Sequence, residues 1–433
     1  MDLSSDPRNE LLYADFNQDF GCFATGTDSG FRIYNVEPFR ETFRRVFPNG
    51  GIGIVQMLFR CNLLALVGGG SNPRYPPNKV MIWDDHQSRC IGELSFRAAV
   101  RAVRLRRDRV AVAVDRKVYV YRFSDLRLMD QLETVANPRG LLALSPDAAA
   151  SVLACPGPRR GHVAVELFDI QRSNLIDAHE SELSALALTS DGARLATSSD
   201  KGTLIRVFDT AGGQLCQELR RGMDRADLRC LAFSPRHLAC TSDKGTVHIF
   251  TLNKKARTDN DNEESKAEES EEAKRERRRK SKNAKSSFSM VGSMIPGASN
   301  YFSSEWSFAQ VRGIDPNSVC AFGSQPNTLA IISADGSFRM VNFEKGGESE
   351  QIYYANFIRY SVHIAACDYK ISSVDSICHP PAYVYVCVRV LFQEEELKQV
   401  NNFVQLWATH YWLSISTISR LGWCNRFPIQ RQG

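Results

Sequence analysis

The chain alternates short apolar runs with turns rich in glycine, aspartate and serine, and this pattern repeats. Each unit has an apolar strand with small residues, a Gly or Asp-x-Gly turn, and a second strand ending in an aromatic or large apolar residue. Short strands separated by turn residues predict an all-β fold. The unit recurs seven times, at 23–35, 64–85, 110–123, 153–169, 195–210, 238–252 and 329–343.

The spacing of these units indicates the architecture. Markers near the end of the second strand, from Tyr34 to Phe250, follow one another at intervals of 38 to 49 residues. A four-stranded propeller blade takes roughly 40–45 residues. Phrases such as LALSPD and LALTSDG supply the preceding strand and its turn. We therefore expect a seven-bladed WD-type β-propeller over residues 10–355.

Two segments depart from the repeat. The interval from Phe250 to Val341 is 91 residues, about 50 more than one blade needs. We assign the excess to an insertion at 253–302 in blade six, in which an acidic block and a basic block predict disorder before an amphipathic stretch rich in serine. Residues 361–433 form an atypical tail that does not repeat the unit and has no predicted place in a seven-fold ring.

Composition and charge exclude several functions. The net charge of +5 is small for 433 residues, so anion affinity must come from local clusters, and nucleic-acid binding through the single basic run KRERRRKSK is disfavoured. The twelve cysteines include no C-x-x-C pair, and the eight histidines form no catalytic motif with Asp, Ser or Cys. We expect a monomeric protein that is not an enzyme, with no catalytic residues, no cofactor and no metal.

The N-terminus and the hydropathy of the chain bear on localisation. Residues 1–10, MDLSSDPRNE, lack the features of a signal peptide, and no apolar run reaches 18 residues. The sequence therefore predicts a cytosolic protein.

Two near-duplicate segments flank a pair of arginines. SSDKGTLIRVF (198–208) and TSDKGTVHIF (241–250) enclose QELRRG (217–222). Each twin segment supplies hydroxyls, a lysine and then a cation, which together with turn amides are the donors that a phosphomonoester needs. Taken singly, the Asp-Lys-Gly turns are ordinary hairpin chemistry, and an isolated arginine pair is typically solvated.

The adjacency of the arginines predicts two pockets. Neighbouring residues in an extended chain point to opposite sides, so each arginine can serve a different twin segment. Sequence order favours Arg220 for the fifth repeat and Arg221 for the sixth. We expect a first pocket and a second pocket, the first of His179, Thr203, Arg206 and Arg220, and the second of Arg221, Ser242, Lys244, Thr246 and His248.

LRRG between two SDKGT turns resembles the L/F-R-R-G signature of the PROPPIN, or WIPI, family. The stretches LLYADFNQDFGCFATGTDSGFRIYN, YPPNKVMIWDD and YFSSEWSF extend the resemblance over residues 10–355, and look most like the WD repeat-containing protein 45/45B branch. The resemblance implies an autophagy effector that binds phosphatidylinositol 3-phosphate and phosphatidylinositol 3,5-bisphosphate on phagophore, autophagosome and endolysosomal membranes. The alternative is a generic propeller scaffold that binds acidic or phosphorylated peptides.

The resemblance also implies a membrane-inserting loop in blade six. Basic residues before the loop would attract anionic lipid while its apolar side chains enter the headgroup boundary. Alternatively, Trp306 and Phe308 pack as the next strand of the blade. The residues expected to insert are Phe288, Met290, Met294, Ile295, Tyr301, Phe302 and Trp306.

A protein partner is implied as well. In this branch the first blades resemble those that bind the autophagy-related protein 2 class of lipid-transfer protein. The same loops are equally consistent with ordinary turns. The candidate positions are Asn17, Asp19, Tyr75, Pro76, Pro77, Asn78 and Lys79.

Overall fold

The computed structural model describes residues 11–48, 50–253, 283 and 304–358. These residues form thirty β-strands in seven sheets, with one short 3-10 helix at Phe168–Ile170. No helix in this part of the chain is long and apolar enough to cross a bilayer. The remainder of the predicted insertion and the whole predicted tail lie outside the described residues.

The first four sheets each contain four strands that are consecutive in the chain. Blade one comprises β1 (Leu11–Phe16), β2 (Cys22–Thr27), β3 (Gly30–Asn35) and β4 (Arg40–Val46). Blade two comprises β5 (Ile52–Met57), β6 (Leu63–Gly68), β7 (Lys79–Asp84) and β8 (Arg89–Ser95). Blade three comprises β9 (Ala102–Leu105), β10 (Arg109–Ala113), β11 (Lys117–Arg122) and β12 (Leu128–Glu133). Blade four comprises β13 (Ala143–Leu144), β14 (Val152–Pro156), β15 (His162–Leu167) and β16 (Arg172–Asp177).

The last three sheets include the strands of the twin segments. Blade five comprises β17 (Leu183–Leu188), β18 (Arg194–Ser199), β19 (Leu204–Asp209) and β20 (Leu215–Arg220), with β24 (Glu305–Trp306) added at its edge. Blade six comprises β21 (Leu228–Phe233), β22 (His237–Ser242), β23 (Thr246–Thr251), β25 (Ala309–Arg312) and β29 (Gly347–Glu348). Blade seven comprises β26 (Ser318–Phe322), β27 (Thr328–Ser333), β28 (Ser337–Asn342) and β30 (Glu350–Asn356).

The innermost strands form a closed ring. The first strand of every blade contacts the first strand of the next, and β26 of blade seven contacts β1 of blade one. The second strands β2 and β27 are wholly buried, whereas the fourth strand β4 alternates between exposed and half-buried positions, as expected for an outer edge. The prediction of a seven-bladed β-propeller is confirmed.

Aromatic packing closes the ring between blades seven and one. Since each of these two sheets is built from its own part of the chain, no strand is exchanged across the junction. Instead, the ring of Phe338 stacks on Phe39 with centroids 4.6 Å apart and on Phe23 at 5.8 Å. The Tyr34 hydroxyl donates a hydrogen bond of 3.2 Å to the Phe357 carbonyl. Hydrophobic burial thus holds together the two ends of the ring.

A channel of about 630 Å³ runs between the innermost strands. Arg104 of blade three donates from Nη1 to Asp15 Oδ2 at 2.9 Å and to Gln56 Oε1 at 2.8 Å. Asp15 belongs to blade one and Gln56 to blade two. One guanidinium therefore ties three consecutive blades at the channel wall.

The chain that follows the insertion contributes to two blades. Glu305 and Trp306 pair with Leu219 and Arg220 in parallel register, and β25 then pairs with β23 as the fourth strand of blade six. The structure thus corrects the expectation for Trp306, because its backbone is held against blade five as a strand of the propeller. Phe308 lies beside β25, and its backbone N–H donates a hydrogen bond of 2.8 Å to the Ile249 carbonyl.

We predict that Phe338→Ala destabilises the propeller by about 3–5 kcal/mol, because the substitution empties the centre of the closing aromatic cluster. Urea unfolding measures the loss. The control is Ile352→Ala on β30, a residue that is 52% exposed. Equal unfolding midpoints for Phe338→Ala and the wild type would show that this cluster does not hold the ring closed.

Candidate anion-binding site

The twin segments fold as two equivalent hairpin turns. Gly202 and Gly245 have φ of +61° and +65°, a left-handed conformation that glycine adopts without strain. A Cβ on Gly202 would lie 1.8 Å from the carbonyl oxygen of Ala226, so this glycine also permits close packing against the connection from blade five to blade six. Turns between second and third strands lie at the same end of a propeller as the connections between blades. Both turns therefore lie at the end where Arg220 and Arg221 leave β20.

A network of hydrogen bonds forms the first pocket. Arg206 donates from Nε to Glu218 Oε2 at 3.0 Å and from Nη1 to the Ala178 carbonyl at 2.7 Å. Ser304 donates to Glu218 Oε1 at 2.8 Å, and Arg220 Nη2 lies 3.5 Å from Ser304 Oγ. Arg206 is thus bonded directly to one oxygen of the Glu218 carboxylate, and Arg220 lies beside the serine that is bonded to the other oxygen.

His179 lies beneath this network and is uncharged at neutral pH. Its Nε2 is 3.0 Å from Thr197 Oγ1. Burial, assisted by the positive charge of Arg206, lowers the pKa of His179 to about 4. Thr203, the fourth predicted member of the first pocket, is half-buried and accepts the backbone N–H of Arg221 at 2.9 Å through its carbonyl oxygen.

Arg221 is a buried cation that is bound by backbone carbonyl groups. Its side chain donates from Nε to the Gly202 carbonyl at 2.9 Å and from Nη2 to the Asp224 carbonyl. The residue is 7% exposed. In the described chain no carboxylate lies within ion-pair distance of it. Its charge adds to burial in lowering the pKa of His248 of blade six. Arg221 is thus bonded to the turn of the first twin segment and acts electrostatically on the second, whereas Arg220 lies 3.5 Å from Ser304.

His248 is the central histidine of the second pocket. Its Nδ1 lies 3.2 Å from Ser307 Oγ, which also accepts Gln310 Nε2 at 3.0 Å. Burial, assisted by the positive charges of Arg221 and Arg312, lowers the pKa of His248 to about 4. The imidazole is therefore neutral at physiological pH.

The other predicted members of the second pocket differ in accessibility. Ser242 is completely buried and accepts the backbone N–H of Lys244 at 3.4 Å, so it supports the turn. The Lys244 side chain is exposed, with Nζ 4.0 Å from a carboxylate oxygen of Asp243. Thr246 is half-buried and pairs with Arg312 across the sheet. The turn thus presents one exposed ammonium group.

Four residues that lie beside the predicted pocket residues were not predicted from the sequence. Glu218 lies two positions before Arg220 and so on the same side of β20, a signal that strand alternation already contains. Arg312 precedes Gly313 much as the paired arginines precede Gly222. Ser304 and Ser307 follow a long insertion, so their register with blades five and six was not visible in the sequence.

The predicted partner residues fall into two separate groups. Asn17 and Asp19 lie in the turn between β1 and β2, whereas 75–79 lies between β6 and β7, and in a propeller these two kinds of turn are at opposite ends. Asn17 is 1% exposed, accepts the Cys22 N–H at 3.0 Å and donates to the Phe59 carbonyl at 3.1 Å. The expectation that Asn17 forms a contact surface is corrected, because its polar groups are used inside the turn.

The 75–79 segment is more accessible. Pro76 and Pro77 are exposed, while Tyr75, Asn78 and Lys79 are half-buried. Asn78 donates to the Phe96 carbonyl at 2.8 Å, and Lys79 forms an ion pair of 2.9 Å with Glu93. On the opposite end, Asp19 pairs with Arg60 at 3.0 Å. The two prolines are therefore the part of this segment that is open to a partner.

Two further expectations concern the insertion and metal sites. Phe288, Met290, Met294, Ile295, Tyr301 and Phe302 lie outside the described residues. Within the ranges that the structure describes, no group of three or more His, Cys, Asp or Glu side chains is placed to hold a metal ion.

A family model supports the classification that these pockets suggest. Residues 11–275 match the model of the PROPPIN family. The chain is 35% identical over 364 residues to autophagy-related protein 18e of Arabidopsis thaliana, covering 81% of this chain and 90% of that protein. It is 32% identical over 346 residues to autophagy-related protein 18 of Dictyostelium discoideum, covering 78% and 91%. The chain belongs to the PROPPIN family, the phosphoinositide-binding β-propellers of autophagy.

Solved structures share the fold. Kluyveromyces lactis Hsv2 with its complete loop 6CD superposes with a TM-score of 0.61 at 24% identity, covering 81% of this chain and 99% of that one. A complex of KlAtg21 with the coiled coil of AgAtg16 gives a TM-score of 0.61 at 22% identity, covering 80% and 99%. At this level of identity the likeness establishes the propeller fold.

We predict that acidification destabilises the native protein through its buried histidines. The pKa of His248 is about 4 in the folded state and 6.5 without the fold, so the unfolded chain binds a proton first as pH falls. This contribution to stability is complete above pH 6.5 and is lost between pH 6.5 and 4. The loss amounts to about 2 kcal/mol at pH 5 for one such histidine.

Urea unfolding at pH 7 and pH 5 measures this effect. His248→Gln should lose about 2 kcal/mol less than the wild type over this interval, whereas the exposed control His86→Gln should match the wild type. Identical pH dependence in all three proteins would contradict a neutral, buried His248.

Proposed function

We propose that this protein is a phosphoinositide effector of autophagy, which binds phosphatidylinositol 3-phosphate and phosphatidylinositol 3,5-bisphosphate on the forming autophagosome. The observation that carries the proposal is the buried Arg221, which has carbonyl acceptors and no carboxylate within ion-pair distance in the described chain. A buried charge normally has a counter-charge. A phosphate group that enters the second pocket supplies it, and forms charge-assisted hydrogen bonds with the guanidinium.

The neutral histidines support a phosphate ligand. A dianionic phosphate favours the protonated form of a neighbouring imidazole, so a histidine with a pKa of about 4 gains a proton and a hydrogen-bond donor as the ligand binds. Each pocket has one such histidine, His179 in the first and His248 in the second. Binding of the phosphate therefore adds one hydrogen-bond donor to each pocket, the protonated histidine.

Two pockets on one rigid rim support membrane binding. Arg220 and Arg221 are consecutive, so headgroups in both pockets belong to the same patch of membrane. Once one headgroup is bound, the second binding step is intramolecular and benefits from a high effective concentration. Two weak contacts therefore give stable attachment to a membrane that displays many copies of one lipid.

The insertion and the accessible prolines extend this proposal. We propose that Phe288, Met290, Met294, Ile295, Tyr301 and Phe302 enter the bilayer, because the insertion begins and ends beside the two blades that carry the pockets. A lipid-transfer protein of the autophagy-related protein 2 class would dock on blades one and two, where Pro76 and Pro77 are exposed. These contacts would place the protein on phagophore, autophagosome and endolysosomal membranes.

We predict that Arg221→Thr lowers binding to vesicles of phosphatidylcholine with phosphatidylinositol 3-phosphate by more than about tenfold, because each charge-assisted hydrogen bond contributes about 1.5–3 kcal/mol. Arg220→Thr should weaken binding in the same direction, and the double variant should not pellet with the vesicles. Sedimentation of the vesicles measures the bound fraction.

Arg127→Thr is the matched control, since this arginine is 81% exposed on blade three. It should bind as the wild type does, and no variant should bind vesicles that carry unphosphorylated phosphatidylinositol. Full pelleting of the double variant would refute the lipid pockets and favour the scaffold that binds acidic or phosphorylated peptides.

A further inference from the structure

The two pockets are built on the same strand register. In blade five, Arg206 lies opposite Glu218, and Leu204 lies opposite Arg220. In blade six, His248 lies opposite Gln310, and Thr246 lies opposite Arg312. The aligned twin segments match Arg206 with His248, since each lies two residues before the aromatic Phe208 or Phe250. Glu218 therefore corresponds to Gln310.

The same correspondence identifies a counterpart for Arg220. Arg220 and Arg312 are each the last residue of the fourth strand of their blade. Each pocket also receives one serine from the segment after the insertion, Ser304 in the first and Ser307 in the second. The Arg312 side chain is exposed, and its Nη2 donates to Gln310 Oε1 at 3.2 Å, so its guanidinium lies beside the residue that faces His248 across the sheet.

The pockets differ in charge at the matched position. In the first pocket the carboxylate of Glu218 is bonded to Arg206 and Ser304. In the second pocket Gln310 is neutral, and its Oε1 accepts Arg312 Nη2 at 3.2 Å. No carboxylate lies within ion-pair distance of Arg312 or Arg221 in the part of the chain that is described.

We propose that the second pocket, completed by Arg312, is the stronger phosphate site, and that Glu218 weakens the first pocket for the same ligand. A phosphate that binds in the first pocket must either displace the Glu218 carboxylate from Arg206 or lie close to its negative charge. In the second pocket the side chain at the matched position is a neutral amide, Gln310, which is bonded to Arg312 and carries no charge that opposes the phosphate. This inference rests on the proposed function and specifies how the two pockets divide the binding.

The division has a consequence for membrane attachment. The stronger second pocket captures a phosphorylated headgroup first, and the weaker first pocket then closes on a neighbouring headgroup in the same membrane. Because Glu218 opposes the second step, attachment depends steeply on the surface density of the lipid. A single soluble headgroup fills mainly the second pocket.

Exchanging the matched side chains tests the proposal with nearly isosteric variants. Gln310→Glu should weaken binding to phosphatidylcholine vesicles with phosphatidylinositol 3-phosphate by about tenfold, and Glu218→Gln should strengthen it. Arg312→Gln should weaken binding by about tenfold as well. The control is Arg172→Gln, because Arg172 is also on a fourth strand and is bonded to an amide side chain, Asn174 Oδ1, at 3.1 Å.

Binding of soluble inositol 1,3-bisphosphate measures the affinity of the pockets for a headgroup in the absence of a membrane. Arg312→Gln should reduce the affinity for this soluble headgroup, measured by calorimetry, more than Glu218→Gln changes it. Thermal melting confirms that each variant is folded. Wild-type binding by Gln310→Glu, or weaker binding by Glu218→Gln, would overturn the inference.

Failure of the proposed function gives a different result. If the wild-type protein pellets equally with phosphorylated and unphosphorylated phosphatidylinositol, the lipid function itself is refuted. If the wild type is selective and requires Arg220 and Arg221, but the Glu218 and Gln310 exchanges leave affinity unchanged, only the inequality of the pockets is refuted.

Discussion

The arrangement of the site depends on the burial of the Arg221 guanidinium against the carbonyl groups of Gly202 and Asp224. A charge at 7% exposure needs acceptors on every side, and backbone carbonyls meet part of this need. They are available because the Gly202 turn adopts a left-handed conformation and packs against the connection between blades five and six. Burial, assisted by this charge, lowers the pKa of His248 and keeps it neutral. The turn, the connection and the histidine are thus organised around one cation.

Repetition of the blade explains why blades five and six carry related sets of polar side chains. The fourth strand of blade five ends at Arg220 and is followed by Arg221, and the matching strand of blade six ends in Arg312. Repetition of the blade does not account for the two serines. Ser304 and Ser307 come from the segment that follows the insertion and runs along both blades. The insertion is therefore connected directly to the pockets whose binding it is proposed to support.

The sequence was sufficient for the number of blades, because that number depends on local periodicity, a repeated strand pair. Contacts between distant segments were not predictable. The polar FNQD stretch suggested an exposed loop, yet Asn17 is buried because its amide closes the turn between β1 and β2. Trp306 was assigned to a membrane loop because no local pattern records its pairing with Arg220. Glu218 was overlooked although strand alternation places it beside Arg220.

The most direct measurement is a titration of the His179 and His248 ring protons by NMR, with and without soluble phosphatidylinositol 3-phosphate. Without the ligand, both imidazoles should titrate with a pKa of about 4. A phosphate bound between the arginines should raise the pKa of both, and that of His248 at the lower ligand concentration. Unaltered titration of His179 and His248 in the presence of saturating ligand would contradict the account.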